Sequence, residues 1–112
     1  MIVALGDVYV QVRRRQAAAE AMLAEQRAAL EQDGCLSFAF AETLDEPGHY
    51  VVTQRWSGRD ALEEHYRSEA FFRYQAAISP LLVRDSELSV HTVQDEVRAL
   101  DSEARSVPRD DS

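Results

Sequence analysis

The chain has 112 residues, 46% of them hydrophobic and 29% charged, with a formal net charge of −8 and an isoelectric point near 4.8. This is the profile of one soluble domain, too short for a two-domain enzyme. A core of this size buries only about two-thirds of the unfolded surface, so self-association would gain much by hiding more. All twelve basic residues are Arg, and the one basic run, residues 13–15, is too short to supply the stripe that phosphate binding needs; nucleic acid is not an expected partner. The leading apolar run, residues 1–5, is far below the ~20 residues of a membrane span, so no membrane contact and a cytoplasmic location are expected. The single cysteine, Cys35, makes no internal disulfide and has no Cys or His at a metal-ligand spacing, so no metal is expected.

In chain order, Val8, Val10 and Val12 alternate with Tyr9 and Gln11 and, with residues 2–5 ahead of them, predict a first strand in which Gly6 marks a bulge or a close backbone approach. Residues 16–32 are almost all Ala, Glu, Gln, Leu, Met and Arg, good helix formers, with Ala18, Met22 and Ala29 on an apolar stripe. Asp33-Gly34 stops this helix, Gly34 suiting a left-handed position. Residues 35–42 predict a second strand with Leu36, Phe38 and Phe40 on a bulky face and Cys35, Ser37, Ala39 and Ala41 on a flat one. Asp45-Glu46-Pro47-Gly48 is a turn, making a hairpin with a third strand over 49–56, where Tyr50, Val52, Gln54 and Trp56 share a face.

Ser57 and Asp60 resemble a capping box for a second helix, and Ser68 caps its continuation through Phe71, Phe72, Gln75 and Ile78, which Pro80 bends or ends. Residues 86–93 predict a fourth strand. The order βαββαβ is an α+β ferredoxin-like sandwich, a four-stranded antiparallel sheet with helices on one face. Its other face, carrying Val51, Thr53, Cys35, Ala39 and Val93, suits another sheet better than water, so a homodimer through the sheet faces is expected. The domain covers residues 1–94. Residues 95–112, with six acids and three arginines, form an acidic extension read as a short helix followed by a disordered end.

Several segments of residues 1–93 resemble the antibiotic biosynthesis monooxygenase (ABM) domain family of the dimeric α+β barrel superfamily. The carriers are Met1-Ile2-Val3, Asp33-Gly34-Cys35-Leu36, the 45–48 turn, the run Gln54-Arg55-Trp56-Ser57-Gly58-Arg59-Asp60-Ala61-Leu62-Glu63-Glu64-His65, and Ser68-Glu69-Ala70-Phe71-Phe72 with Pro80-Leu81-Leu82. The resemblance implies a homodimeric barrel with a pocket between helices and sheet in each subunit. It also implies, as one family activity, oxidation of anthrones, polyketide phenols or quinols by O₂ without metal or flavin. Membership fixes fold better than reaction.

Such chemistry needs a base, polar holders and a dry cavity. His65 is the candidate base, since its unperturbed pKa lies near neutrality and the resemblance turns it toward the pocket; spacing alone leaves a structural histidine equally open. Trp56 and Tyr50 are candidates to hold an aromatic substrate, or to fill the core. Phe38, Phe40 and Phe72, with Phe71 and Tyr74, are candidate walls. Asp7 stands nearest the position where haem-degrading members and some anthrone oxygenases use an asparagine. The chain has no asparagine, and an ionised Asp accepts but does not donate, which counts against haem degradation and leaves a non-catalytic, dimeric ligand-binding or stress-related module as the alternative.

Overall fold

The computed structural model describes residues 1–97 and 99. Strand β1 (Ile2–Tyr9) buries Ile2, Ala4 and Val8 and turns Val3, Leu5, Asp7 and Tyr9 the other way, as a period of two requires. A short 3-10 turn (Val12–Arg14) leads into α1 (Arg15–Leu30), which ends two residues before the expected stop. Gly34 then takes φ +84° in the turn into β2 (Cys35–Glu42), and its backbone carbonyl accepts from the Ser57 N–H at 2.7 Å. The hairpin partner β3 (His49–Trp56) buries Tyr50, Val52, Gln54 and Trp56.

Helix α2 (Arg59–Tyr66) does not use the expected capping box. Gly58 occupies the N-cap position with no side-chain cap, while Asp60 sits in the first turn, where its charge favours the helix dipole. Ser68 does cap α3 (Glu69–Ile78), its Oγ accepting from the Phe71 N–H at 3.2 Å. Pro80 falls in a 3-10 turn (Ser79–Leu81) directly after α3, before β4 (Glu87–Thr92). The antiparallel sheet has the order β2-β3-β1-β4, the ferredoxin-like α+β arrangement expected.

Two departures from strict alternation matter. The β2–β3 register shifts between Cys35 and Ser37, so Cys35 pairs with Trp56 and packs inward while Leu36 is left 51% exposed; a bulge has exchanged the faces expected for these two residues. At Gly6, a Cβ would stand 2.9 Å from the Glu87 carbonyl oxygen, so the glycine serves a close approach of β4.

The helices cover one sheet face over two apolar clusters. Val8, Met22, Tyr50, Ile78 and Leu81 fill one end, and Ile2, Ala29, Phe38, Val52, Trp56 and Leu62 the other. Edge strand β4 is exposed along its whole length. Residues 95–97 and 99 hold no regular element, and the other residues of the expected terminal helix and the chain end lie outside the described residues. Among the described residues, no helix is long and apolar enough to cross a membrane.

Candidate active site

Between the two clusters the helix-covered face leaves a cavity of about 530 Å³. The sheet supplies Val8, Phe38, Phe40, Val52 and Gln54 as its floor, and α3 supplies Phe71, Tyr74 and Ile78 as its roof. Glu25 enters from α1 and Tyr66 from the end of α2, while Asp85 and Glu87 stand at the segment leading into β4. A cavity of this size, with walls that mix apolar and aromatic side chains with polar ones, falls within the range of a small-molecule site.

Beside the cavity lies a buried polar chain. His65 is 1% exposed and Glu25 3%. The His65 Nε2 meets Glu25 Oε2 at 3.0 Å, and Nδ1 meets Gln32 Oε1 at 2.5 Å. Aromatic rings enclose the imidazole, with centroids of Trp56 at 5.0 Å, Phe71 at 5.3 Å, Phe38 at 5.6 Å and Tyr66 at 5.9 Å. The buried Gln54 accepts from the Trp56 indole N–H at 3.0 Å, which satisfies the only polar atom of that side chain. Burial pushes the Tyr66 phenol pKa up, and burial followed by the Glu25 charge does the same for Tyr74, so both hydroxyls remain donors at neutral pH.

The structure distributes the sequence candidates unevenly. Phe38 and Phe40 line the cavity. His65 does not: it is buried among four aromatic rings with its Nε2 on Glu25, so the pocket-facing orientation expected for it is corrected to a place in the core beside a lining residue. Trp56, fully buried, and Tyr50 are packing residues of the two clusters rather than cavity walls. The Tyr50 phenol is pushed up by burial and then by the neighbouring Glu42. Phe72 points away at 70% exposure, since on α3 the positions 71, 74 and 78 share the inward side and 72 does not. Asp7 lies on the opposite face of the sheet, where its Oδ1 pairs with His49 Nε2 at 2.8 Å. Its place on the strand decides this, because Asp7 alternates with the buried Val8.

Glu25 is the buried carboxylate beside the cavity that sequence reasoning missed. It had a visible signature: positions 18, 22, 25 and 29 form one helical stripe, so a carboxylate at 25 sits in line with Ala18, Met22 and Ala29, all buried. Glu25 also borders a narrower cleft of about 230 Å³ between α1 and α3, walled largely by alanines. Among the described residues, no group of three His, Cys, Asp or Glu is placed to hold a metal ion.

The sequence profile described as Antibiotic biosynthesis monooxygenase matches residues 1–77. The chain is 35% identical over 80 residues to Rv0793 of Mycobacterium tuberculosis, covering 71% of this chain and 75% of that protein. The solved structure of Rv0793 superposes with a TM-score of 0.79 at 27% identity, over 87% of this chain and 98% of the other. A Deinococcus radiodurans structure of the same family name gives a TM-score of 0.83 at 20% identity, over 88% and 97% of the two chains. A sequence match over more than half the chain, joined to this fold, leads to one assignment: the chain belongs to the antibiotic biosynthesis monooxygenase family.

Proposed function

We propose that the protein is a monooxygenase that oxidises a small aromatic phenol, quinol or anthrone-like compound with O₂, without metal or flavin, as a cytoplasmic homodimer joined through the open sheet faces. The observation that carries this reading is the cavity of about 530 Å³, walled by Phe38, Phe40 and Phe71 and bordered by the buried Glu25–His65 pair, in a chain of this family. Aromatic walls suit a planar ring, and exclusion of water strengthens any proton acceptor's hold on a polarised O–H or C–H. Loss of that proton leaves an electron-rich anion able to reduce O₂. For an anthrone-type methylene the balance is R₂CH₂ + O₂ → R₂C=O + H₂O, and for a quinol it is conversion to a hydroxyquinone and water. In both, the substrate supplies all four electrons.

In this reading His65 acts on the proton through Glu25, and Trp56 holds the imidazole from beneath. The dimer is supported by the open face itself, where Leu5 is 44% exposed and the strand centres carry Val51, Thr53, Ala39 and Ala41. The absence of asparagine favours the second reading, a dimeric ligand-binding or stress-related module of the same fold with no turnover. Oxygen uptake by chelator-treated protein over a panel of hydroquinones and anthrones separates the two. Sustained turnover is expected; its absence across the panel, with ligand binding retained, would leave the binding module.

A further inference from the structure

The cavity wall contains an amide that is held at one end and open at the other. Gln54, on β3 and only 5% exposed, lines the cavity. Its Oε1 accepts from the Trp56 indole N–H at 3.0 Å. An indole N–H donates and never accepts, so the amide oxygen has to face Trp56 and the NH2 group has to face the other way. Across the sheet Gln54 pairs with Phe38 on β2 and Ala4 on β1, a ring and a methyl group that give Nε2 nothing to bond. Among the described residues Nε2 has no hydrogen-bond partner, yet it is not one of the sealed atoms, since those without a partner are Glu25 Oε1 and Tyr66 Oη. The Nε2 donor therefore keeps contact with open space, and the open space that Gln54 borders is the cavity.

Other polar groups of the wall differ in kind. Glu25 and Tyr66 have their unpartnered atoms sealed, while Gln75, Ser79, Asp85 and Glu87 are exposed, where water competes for every hydrogen bond. The pinned amide stands instead in the buried part of the wall beside Phe38, where a planar ring lying against the phenyl group can bring an oxygen on its edge to Nε2. We propose that Gln54 Nε2 is the donor that recognises a substrate oxygen, so that the site selects an aromatic compound carrying a carbonyl or phenol oxygen at the edge of its ring. The inference rests on the cavity being the ligand site of the preceding subsection. Because Trp56 fixes the amide before any ligand arrives, binding requires no reorganisation of the donor. A fixed donor also holds an oxygen more firmly as that oxygen gains negative charge, so the same contact favours the electron-rich form of the substrate on which the proposed oxidation depends.

The test titrates the full chain by NMR with 1-tetralone and with tetralin, which has the same carbon skeleton and no oxygen. In the unsubstituted protein 1-tetralone is expected to move the Gln54 side-chain NH2 resonances downfield, and tetralin to leave them in place; those resonances are identified by their proximity to the indole proton of the chain's single tryptophan. Gln54→Met keeps the length of the side chain and removes the donor. It is expected to weaken 1-tetralone by about 3- to 10-fold, the size of one neutral hydrogen bond, and to change tetralin by less than about 2-fold. Tyr74, a further wall donor that also borders the alanine-walled cleft, serves as the control: Tyr74→Phe is expected to leave the ratio of the two affinities unchanged. The resonance shift is read in the unsubstituted protein, so it decides the matter even where Gln54→Met does not fold. NH2 resonances that respond alike to both ligands, a ratio unchanged in Gln54→Met, a ratio lost in Tyr74→Phe, or failure of both ligands to bind would each overturn the proposal. A Gln54-dependent preference without oxygen uptake over the hydroquinone and anthrone panel sinks the oxygenase reading and leaves this contact standing.

Discussion

The two faces of the sheet are made by the same four strands and have opposite chemistry. On the helix-covered face, β1 and β3 contribute side chains that are almost wholly buried, and the buried polar residues are Glu25, Gln54 and His65, each joined to a neighbour. On the open face the strand centres are apolar and half-exposed, while the ion pairs Asp7–His49 and Arg55–Glu96 lie toward its ends and partly in solvent. The physics separates them. An unmade hydrogen bond on the covered face costs about 1–3 kcal/mol, whereas an exposed ion pair on the open face contributes at most about 1 kcal/mol. A buried network therefore signals a constraint that solvent does not relieve, and Glu25 Oε1 and Tyr66 Oη, buried without a partner among the described residues, are informative in a way the surface pairs are not.

Three substitutions sharpen that contrast, taken from the largest expected effect. Trp56→Ala removes a fully buried ring from the covered face together with its bond to Gln54, and urea unfolding should show a loss of about 3–5 kcal/mol; a loss below about 1 kcal/mol would mean that the indole is not the packing centre of its cluster. Gly6→Ala inserts a methyl within 2.8 Å of Val52 Cγ1 and 2.9 Å of the Glu87 carbonyl. It should cost about 1–3 kcal/mol and speed amide exchange along β4 more than along β2, since β4 is the strand that must give way. Val51→Asp on the open face should change the stability of an isolated subunit by no more than about 0.5 kcal/mol, yet it should split a sheet-to-sheet dimer, read as a halved mass in light scattering. An unchanged dimeric mass after that substitution would move the subunit contact elsewhere.

The legible part of the site was the part written in strands. A period of two places Phe38, Phe40, Tyr50, Val52, Gln54 and Trp56 on one side whatever lies above them, and it places Asp7 on the other. The helical part was harder, because a stripe of residues at 18, 22, 25 and 29 tells which residues face inward but not what they meet. That Glu25 meets His65, 40 residues along the chain, depends on how α1 and α2 are docked, and no local pattern encodes that distance. The same limit decided between Phe71 and Phe72, adjacent and chemically identical, of which only the first faces the cavity.

By itself the sequence determined the order of the strands and helices and the side of the sheet most strand residues take, Cys35 and Leu36 excepted, because alternation, helix-forming composition and turn residues act over a few neighbours. Only the tertiary structure decided that β2 begins with a bulge, that the His65 imidazole meets the Glu25 carboxylate, and that Glu25 Oε1 and Tyr66 Oη are buried without a partner among the described residues. Those outcomes follow from docking between distant elements, where packing and burial rather than local propensity select the arrangement.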